Sequence, residues 1–415
     1  MKLWGKAIVT FLLLIAGYLL LGTVAWLPPD WRVDKHVQRS LDDGELVDDY
    51  PFAYVSGGRY RMDNFTDALI VNQCVHLRSE GWKSILTIPR YDEGIYQCHN
   101  LRQAVSGNTG EGGIIHYSRY WHGSTFFTRL LLVFMPFVSV RYLLYVLSTV
   151  MMLWCFMRLW NHVGHDIALA IVFALLMVNV FVMQFSVQYV QVLLIALGGM
   201  IWLSYHRRPS DGQVALLFLV LGSLTAFLDL LTVPTLTLGL PLLVLVSLPD
   251  RKNTLWTLVK AGLWWGGAYA LTWAAKWGIA TVLTDIDVFA DAGREAAVWQ
   301  ENGGNYISKA LSDNLRYVRW PYLCVVVGML VVAACVWHRK EQWGKVAQYL
   351  FILMIPLLFY IVMAHHSSHH SQFTYRGLAT AIAALVMAVA TMVDWSRIGF
   401  KAKYYDKGGT PHAGD

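Results

Sequence analysis

The chain has 415 residues, of which 56% are hydrophobic and 14% charged. Soluble domains carry roughly 25% charged residues, so the composition excludes an ordinary soluble globule and points to a polytopic membrane protein. The formal net charge of +6 resides largely in short loops between apolar runs, where membrane topology accounts for it, and no nucleic-acid partner is expected.

The first apolar run, Ala7–Trp26, follows the basic start MKLWGK, and Lys2 and Lys6 predict a cytoplasmic N-terminus. A cleaved signal peptide is the rival reading. The run is long for one, and Pro28-Pro29 follows without a clear small-x-small site, so a retained helix is expected. A polar stretch, 27–125, comes next. Further apolar runs lie near Val140–Trp160, Ile167–Met183, Val190–Tyr205, Val214–Leu231, Thr235–Leu248, Leu258–Val282, Tyr322–Trp337, Tyr349–Ala364 and Gly377–Val393. Most reach or approach the roughly 20 residues that cross a bilayer, giving about ten spans. Pro234 and Pro241 interrupt the 214–248 region, which leaves a broken or re-entrant pair open there.

Loop charge supports this count. NHVGHD, HRRPSDG, PDRKNTLW, HRKEQWGK and the tail SRIGFKAKYYDKGG are mostly basic, whereas the alternate connections are neutral, acidic or His-rich. The expected architecture is therefore all-α, a single transmembrane domain over 1–393 in the plasma (inner) membrane. Both termini are cytoplasmic, with a large first extracytoplasmic loop (27–125), a second (284–321) and a cytoplasmic tail (394–415). There is no internal repeat. Cys74 and Cys98 fall in the first loop, where a disulfide is an open option, and Cys155, Cys324 and Cys335 fall within spans.

Within the first loop, LDDGELVDDYP (Leu41–Pro51) reads as a solvated acidic stretch. From Asp63 the apolar positions Phe65, Ala68, Leu69, Val71 and Val75 take helical spacing, which predicts a short amphipathic helix. Asp63 is a candidate N-cap for it, and Asp67 lies one turn later on nearly the same face. His116, Tyr117, Arg119, Tyr120, Trp121 and His122 form a dense polar-aromatic cluster, either an interfacial belt or a binding wall. Arg129 interrupts an apolar segment and suggests an amphipathic helix on the surface.

The order of these segments resembles the GT-C superfamily of integral-membrane glycosyltransferases, including protein O-mannosyltransferases and the aminoarabinose transferase of lipid A. The stretches carrying the likeness are MDNFTDALIVN, WHGSTFFTRLLLVFMPF, VRYLLYVLSTVM, MQFSVQYVQVLLIALGGMIWL and LGSLTAFLDLLTVPTLTLGLPLLVL, with a further match near Arg376. They cover most of residues 1–250 in order and spacing, with few identities. Asn64 stands where the family has a second acid, and WHGST lacks the family's double proline.

The resemblance implies an enzyme that moves a sugar from a polyprenyl-phosphate donor to an extracytoplasmic glycan or glycolipid acceptor, with membrane lipids around it. It implies inversion at the anomeric carbon with an Asp general base. Asp63 is the first candidate and Asp67 the second. Arg376, with His370, His369 and Tyr375, is the candidate phosphate-binding group, although an arginine at a span end also snorkels. His116, Tyr117, Arg119, His122 and Asp229 are candidate cavity residues. Asp229 is an acid near the outer end of a span, which is costly and therefore a functional candidate. The resemblance gives no certain cofactor. His365, His366, His369 and His370 allow i, i+4 pairs, so a divalent metal is one option, hydrogen bonds to phosphate or sugar a second and a polar loop a third. The second loop carries Arg294, Glu295, Arg316 and Arg319, as a cavity cap or a solvated connection. Rival readings are a transporter or flippase of lipid-linked sugars, a polysaccharide polymerase or ligase, and a noncatalytic scaffold.

Overall fold

The computed structural model describes residues 2–55, 58–94, 96–107, 112–301, 306–318, 326, 328 and 342–393. These are mostly helical. Six helical segments among them are long and apolar enough to cross a membrane. They are α1 (Leu3–Trp26), α7 (Phe137–His162), α10 (Val187–Tyr205), α11 (Asp211–Leu228), α16 (Trp343–Val362) and the Ser371–Met392 segment. The last holds a single turn, α18 (Ser371–Thr374), and then α19 (Leu378–Met392). Lipid explains their surfaces. α1 exposes Ile8, Leu12, Leu13 and Leu20, a face that water would penalise and hydrocarbon accepts.

The other expected runs that fall on described residues are also helical, with altered bounds. Ile167–Met183 is divided into α8 (His165–Met177) and α9 (Val180–Gln184) by Asn179, which adopts left-handed backbone at φ 59°. Asparagine tolerates that conformation better than most residues. α12 (Thr235–Ser247) is 13 residues long and contains Pro241. At 1.5 Å per residue, α8 and α12 are each about 20 Å long, short of a roughly 30 Å hydrocarbon core. α13 (Leu255–Leu283) has 29 residues and is long enough, but its Trp, Tyr, Gly and Lys content dilutes the apolar signal. The expected span Tyr322–Trp337 with Cys324 and Cys335, apart from positions 326 and 328, lies outside the described residues, as do Arg319 and the tail 394–415.

α10 is the central strut, buried around nearly its whole circumference. α11 runs close against α13, where a side chain at Gly222 would collide with the Trp265 carbonyl. One end of the bundle carries Arg158 bonded to Ser204, and ion pairs Arg251–Asp211 and Arg208–Asp250. The opposite end receives the first loop.

That loop folds onto the bundle through α2 (Asp30–Asp42), α3 (Asn64–His76), α4 (Ser84–Thr87), α5 (Gln97–Ser106) and α6 (Gly123–Leu132). Strand β1 (Phe52–Val55) pairs antiparallel with β2 (Gly58–Arg61), and β3 (Pro89–Asp92) with β4 (Gly113–His116). Several expectations are corrected here. α3 is not an amphipathic surface helix, because Asp67 through Cys74 are all buried. The loop wraps over it, so its polar face meets protein instead of water. Arg129 is likewise buried. Its guanidinium donates to the carbonyls of Ala25 (2.9 Å), Pro28 (2.9 Å) and Cys74 and to the Asp30 carboxylate (2.6 Å), tying three helix ends together. The acidic stretch Leu41–Pro51 is partly engaged. Glu45 pairs with Arg141, and Asp49 accepts from the Cys98 amide. Cys74 and Cys98 are free, buried thiols that face different carbonyls, those of Thr125 and Asn64.

Candidate active site

The candidate site forms where α3 meets the N-terminal ends of α10 and the Ser371–Met392 segment. Asp63 caps α3, its Oδ1 accepting from the Thr66 amide at 2.9 Å. Its Oδ2 accepts from the Tyr189 hydroxyl at 2.8 Å. Burial pushes the Asp63 carboxyl above the usual range, while the Thr66 and Tyr189 bonds and the Arg376 charge pull it back. Capping and active-site roles are compatible, because the cap uses one oxygen and leaves the other for a partner.

Arg376 packs over Tyr189, its guanidinium 4.5 Å from the ring centroid and 5.0 Å from that of Tyr375. It is 1% exposed. Nη1 donates to the Gln372 carbonyl at 3.2 Å, and Nε has no hydrogen-bond partner among the described residues. A buried guanidinium with spare donors is ready to hold an oxyanion. Tyr375 stacks on Tyr317 at 4.5 Å and donates to the Val178 carbonyl at 3.3 Å, so it supports the arginine from behind.

Asp67 has a different environment. Oδ2 accepts from Arg141 Nη2 at 2.7 Å and Nε at 3.1 Å, and Oδ1 from the Val187 amide at 3.1 Å and Ser186 Oγ at 3.3 Å. Burial raises its carboxyl to about 6, against the pull of Arg141, and the Asp63 charge adds to the rise. Arg141 also donates to Asn64 Oδ1 at 2.6 Å and to Glu45 at 3.2 Å. Both oxygens of Asp67 are therefore taken up in joining the first loop to α7 and α10.

The histidines divide into two pairs. His366 and His370 face inward, 4.8 Å apart, and continue through Phe373 (5.0 Å from His370) to Tyr189 (5.9 Å from Phe373). His366 Nε2 donates to the Leu231 carbonyl at 2.8 Å. Burial lowers His366 to about 3 and His370 to about 4, so both rings are neutral at physiological pH. His365 and His369 pack 4.3 Å apart beside Tyr306, and His369 is exposed. Among the described residues, no group of three or more His, Cys, Asp or Glu is arranged to hold a metal ion.

Compared with known families, curated proteins and solved structures, the chain matches none.

The polar-aromatic cluster separates into two parts. His116 lies on an exposed strand and contacts Glu80 at 2.6 Å. Arg119 pairs with Asp291 at 3.3 Å and Glu295 at 3.1 Å on α14 (Val288–Glu301), so it joins the first and second loops. His122 is buried against Tyr117 and Tyr120. Asp229 is buried at the end of α11, where its Oδ1 accepts from Thr232 and, at 3.4 Å, from Gln188. Gln188 is next to Tyr189, which connects Asp229 to the Asp63 site.

Tyr189, Arg141 and Gln188 were not legible as site residues from sequence, since each sits in an apolar run. Arg141 carried a usable signal as an ionisable residue inside a span. Tyr189 carried none beyond its position at a span end.

Proposed function

We propose that this protein is a membrane glycosyltransferase of GT-C type. It would move a sugar from a polyprenyl-phosphate donor to an extracytoplasmic glycan or glycolipid acceptor. The supporting observation is that Asp63 and Arg376 both contact Tyr189, the acid at its hydroxyl and the guanidinium over its ring.

In this reading an acceptor hydroxyl oxygen attacks the anomeric carbon. The carbon–oxygen bond to phosphate breaks, and its electron pair leaves with polyprenyl phosphate. The hydroxyl proton passes to Asp63, and configuration at the anomeric carbon inverts. A carboxylate raised by burial is a stronger base than a solvated one, and the hydrogen bond from Tyr189 opposes part of that rise. Arg376 has spare donors for the developing phosphate charge. Asp67, saturated by Arg141, Ser186 and Val187, is better suited to hold the helix than to take a proton. Tyr375 and the neutral His370 back the phosphate position.

The test is transfer from radiolabelled polyprenyl-phosphate sugars to a membrane acceptor fraction by purified protein. Wild type should transfer, and Asp63→Asn should lose transfer by two orders of magnitude or more, on the order of a general-base contribution. Unchanged transfer by Asp63→Asn removes the base assignment. Absence of transfer with every donor, together with flux of lipid-linked sugar across vesicles, favours a flippase.

A further inference from the structure

A groove opens between α1 and α13, at the end of the bundle opposite the candidate site. Both helices start at that end, where Leu3 lies beside Gly212 and Arg251 pairs with Asp211. Trp4 packs on Trp264 at the mouth, with ring centroids 4.9 Å apart. Beyond this pair the walls are Ile8, Phe11 and Leu12 of α1 and Leu263 and Leu271 of α13. The floor is a small buried cluster of Ala7, Leu219 and Ala268. The cavity volume is about 490 Å³. Along α13 it extends from Lys260 to Leu271, about 16 Å of helix. Gly267 keeps it open, since a Cβ there would meet no atom within 4 Å.

The mouth is basic. Lys260 lines the groove, its ammonium 5.8 Å from the Trp256 ring centroid. The Trp4–Trp264 contact sets the first turn of α1 beside this turn of α13, which brings Lys2 and Lys6 to the same level. All three lysines are exposed. Among the described residues no carboxylate forms an ion pair with any of them. Asp211, the acid at the start of α11, is taken by Arg251.

Tryptophan and lysine at span ends are ordinary interfacial anchors. An anchor belt needs no concave surface, however, and here an apolar groove leads away from the lysines along the helices. An unfilled groove of this size would forfeit dispersion contacts along its whole lining. Its form fits a molecule with an anionic head and a long apolar chain. We infer that this groove binds an anionic phospholipid, with the phosphate at Lys260 and Lys6 and one acyl chain lying between α1 and α13. The bilayer supplies such a molecule at the depth of the groove, and lysines near an anionic headgroup attract it. Only 17% of the apolar window of α1 is buried by protein, so a lipid seated here adds contacts that hold α1 to the bundle. The site stands apart from Asp63 and Arg376 and does not depend on the transferase reading.

The experiment is native mass spectrometry of the full chain released from detergent, with thermal midpoints measured alongside. The probes are dioleoyl-phosphatidylglycerol and dioleoyl-phosphatidylcholine, which share chains and differ in charge. Phosphatidylglycerol should bind saturably, about ten-fold or more tighter than phosphatidylcholine, and should raise the thermal midpoint. Lys260→Gln should weaken phosphatidylglycerol binding about five-fold, the effect of one lysine at an anionic surface, and leave phosphatidylcholine unchanged. Gly267→Leu places a better helix former at an open position, so the protein should fold, and its side chain should obstruct both lipids. Glycerol 3-phosphate, a headgroup without chains, should not compete. Equal affinity for the two lipids overturns the proposal, as does unchanged phosphatidylglycerol binding in folded Gly267→Leu. Competition by glycerol 3-phosphate would also overturn it, by placing the affinity in the lysines without the groove.

Discussion

The Tyr189 hydroxyl donates to the Asp63 carboxylate at 2.8 Å, across 126 positions of sequence. One residue caps a loop helix and the other begins the central span, so the bond registers the first loop on the bundle. It also bears on the protonation of the acid. A donor to the ionised form favours that form, and here it opposes the effect of burial.

Removing that donor should change the pH profile of transfer. In Tyr189→Phe the Asp63 carboxyl rises further, and more of it is protonated at any given pH. The acid limb of kcat/KM should move to higher pH, with activity recovering as pH is raised. Transfer rates measured from pH 5 to 9 check this. A uniform loss at every pH would assign Tyr189 to packing alone.

Arg376 should govern donor affinity. Arg376→Lys keeps the charge but loses the planar fork and the stacking on Tyr189 and Tyr375. KM for the polyprenyl-phosphate sugar should rise about ten-fold or more, with acceptor KM unchanged. Steady-state kinetics with each substrate varied in turn provides the measurement.

Asp67→Ala should destabilise the protein by about 3–5 kcal/mol, because it leaves Arg141 buried without its main counter-charge. A large fall in thermal midpoint in detergent is the expected result. Asp67→Ala in an Arg141→Met background should recover part of the loss, since the orphaned charge is then gone.

Asp67 should also make stability pH-dependent. Its carboxyl is raised from 3.8 to about 6 by burial, so the folded state holds a proton that the unfolded chain releases. A raised carboxyl stabilises fully below the unfolded value and loses that contribution as pH rises through the folded one. The thermal midpoint of wild type relative to Asp67→Asn should therefore fall between about pH 4 and pH 6. A flat difference across that window would mean that Arg141 holds Asp67 at an ordinary value.

Much of the fold was legible because lipid simplifies the problem. With no water to satisfy the backbone, a long apolar run has to become a helix, and the runs near α1, α7, α10 and α11 did so. The break at Asn179 was not legible, because a left-handed residue leaves no mark on hydropathy. Arg129 misled for a related reason. A cation in an apolar segment suggests a surface, but four oxygen acceptors from distant helix ends make its burial tolerable.

The sequence alone established a helical membrane protein, a long polar loop after the first span, and an aspartate spaced to cap a helix within it. These follow from local composition and periodicity. Tertiary packing supplied what local patterns do not encode: Tyr189 in contact with both Asp63 and Arg376, and Arg141 on Asp67. These partners lie tens to hundreds of residues apart, and each looks unremarkable in its own segment. Their burial makes the charges costly unless paired, and pairing depends on which helix ends meet.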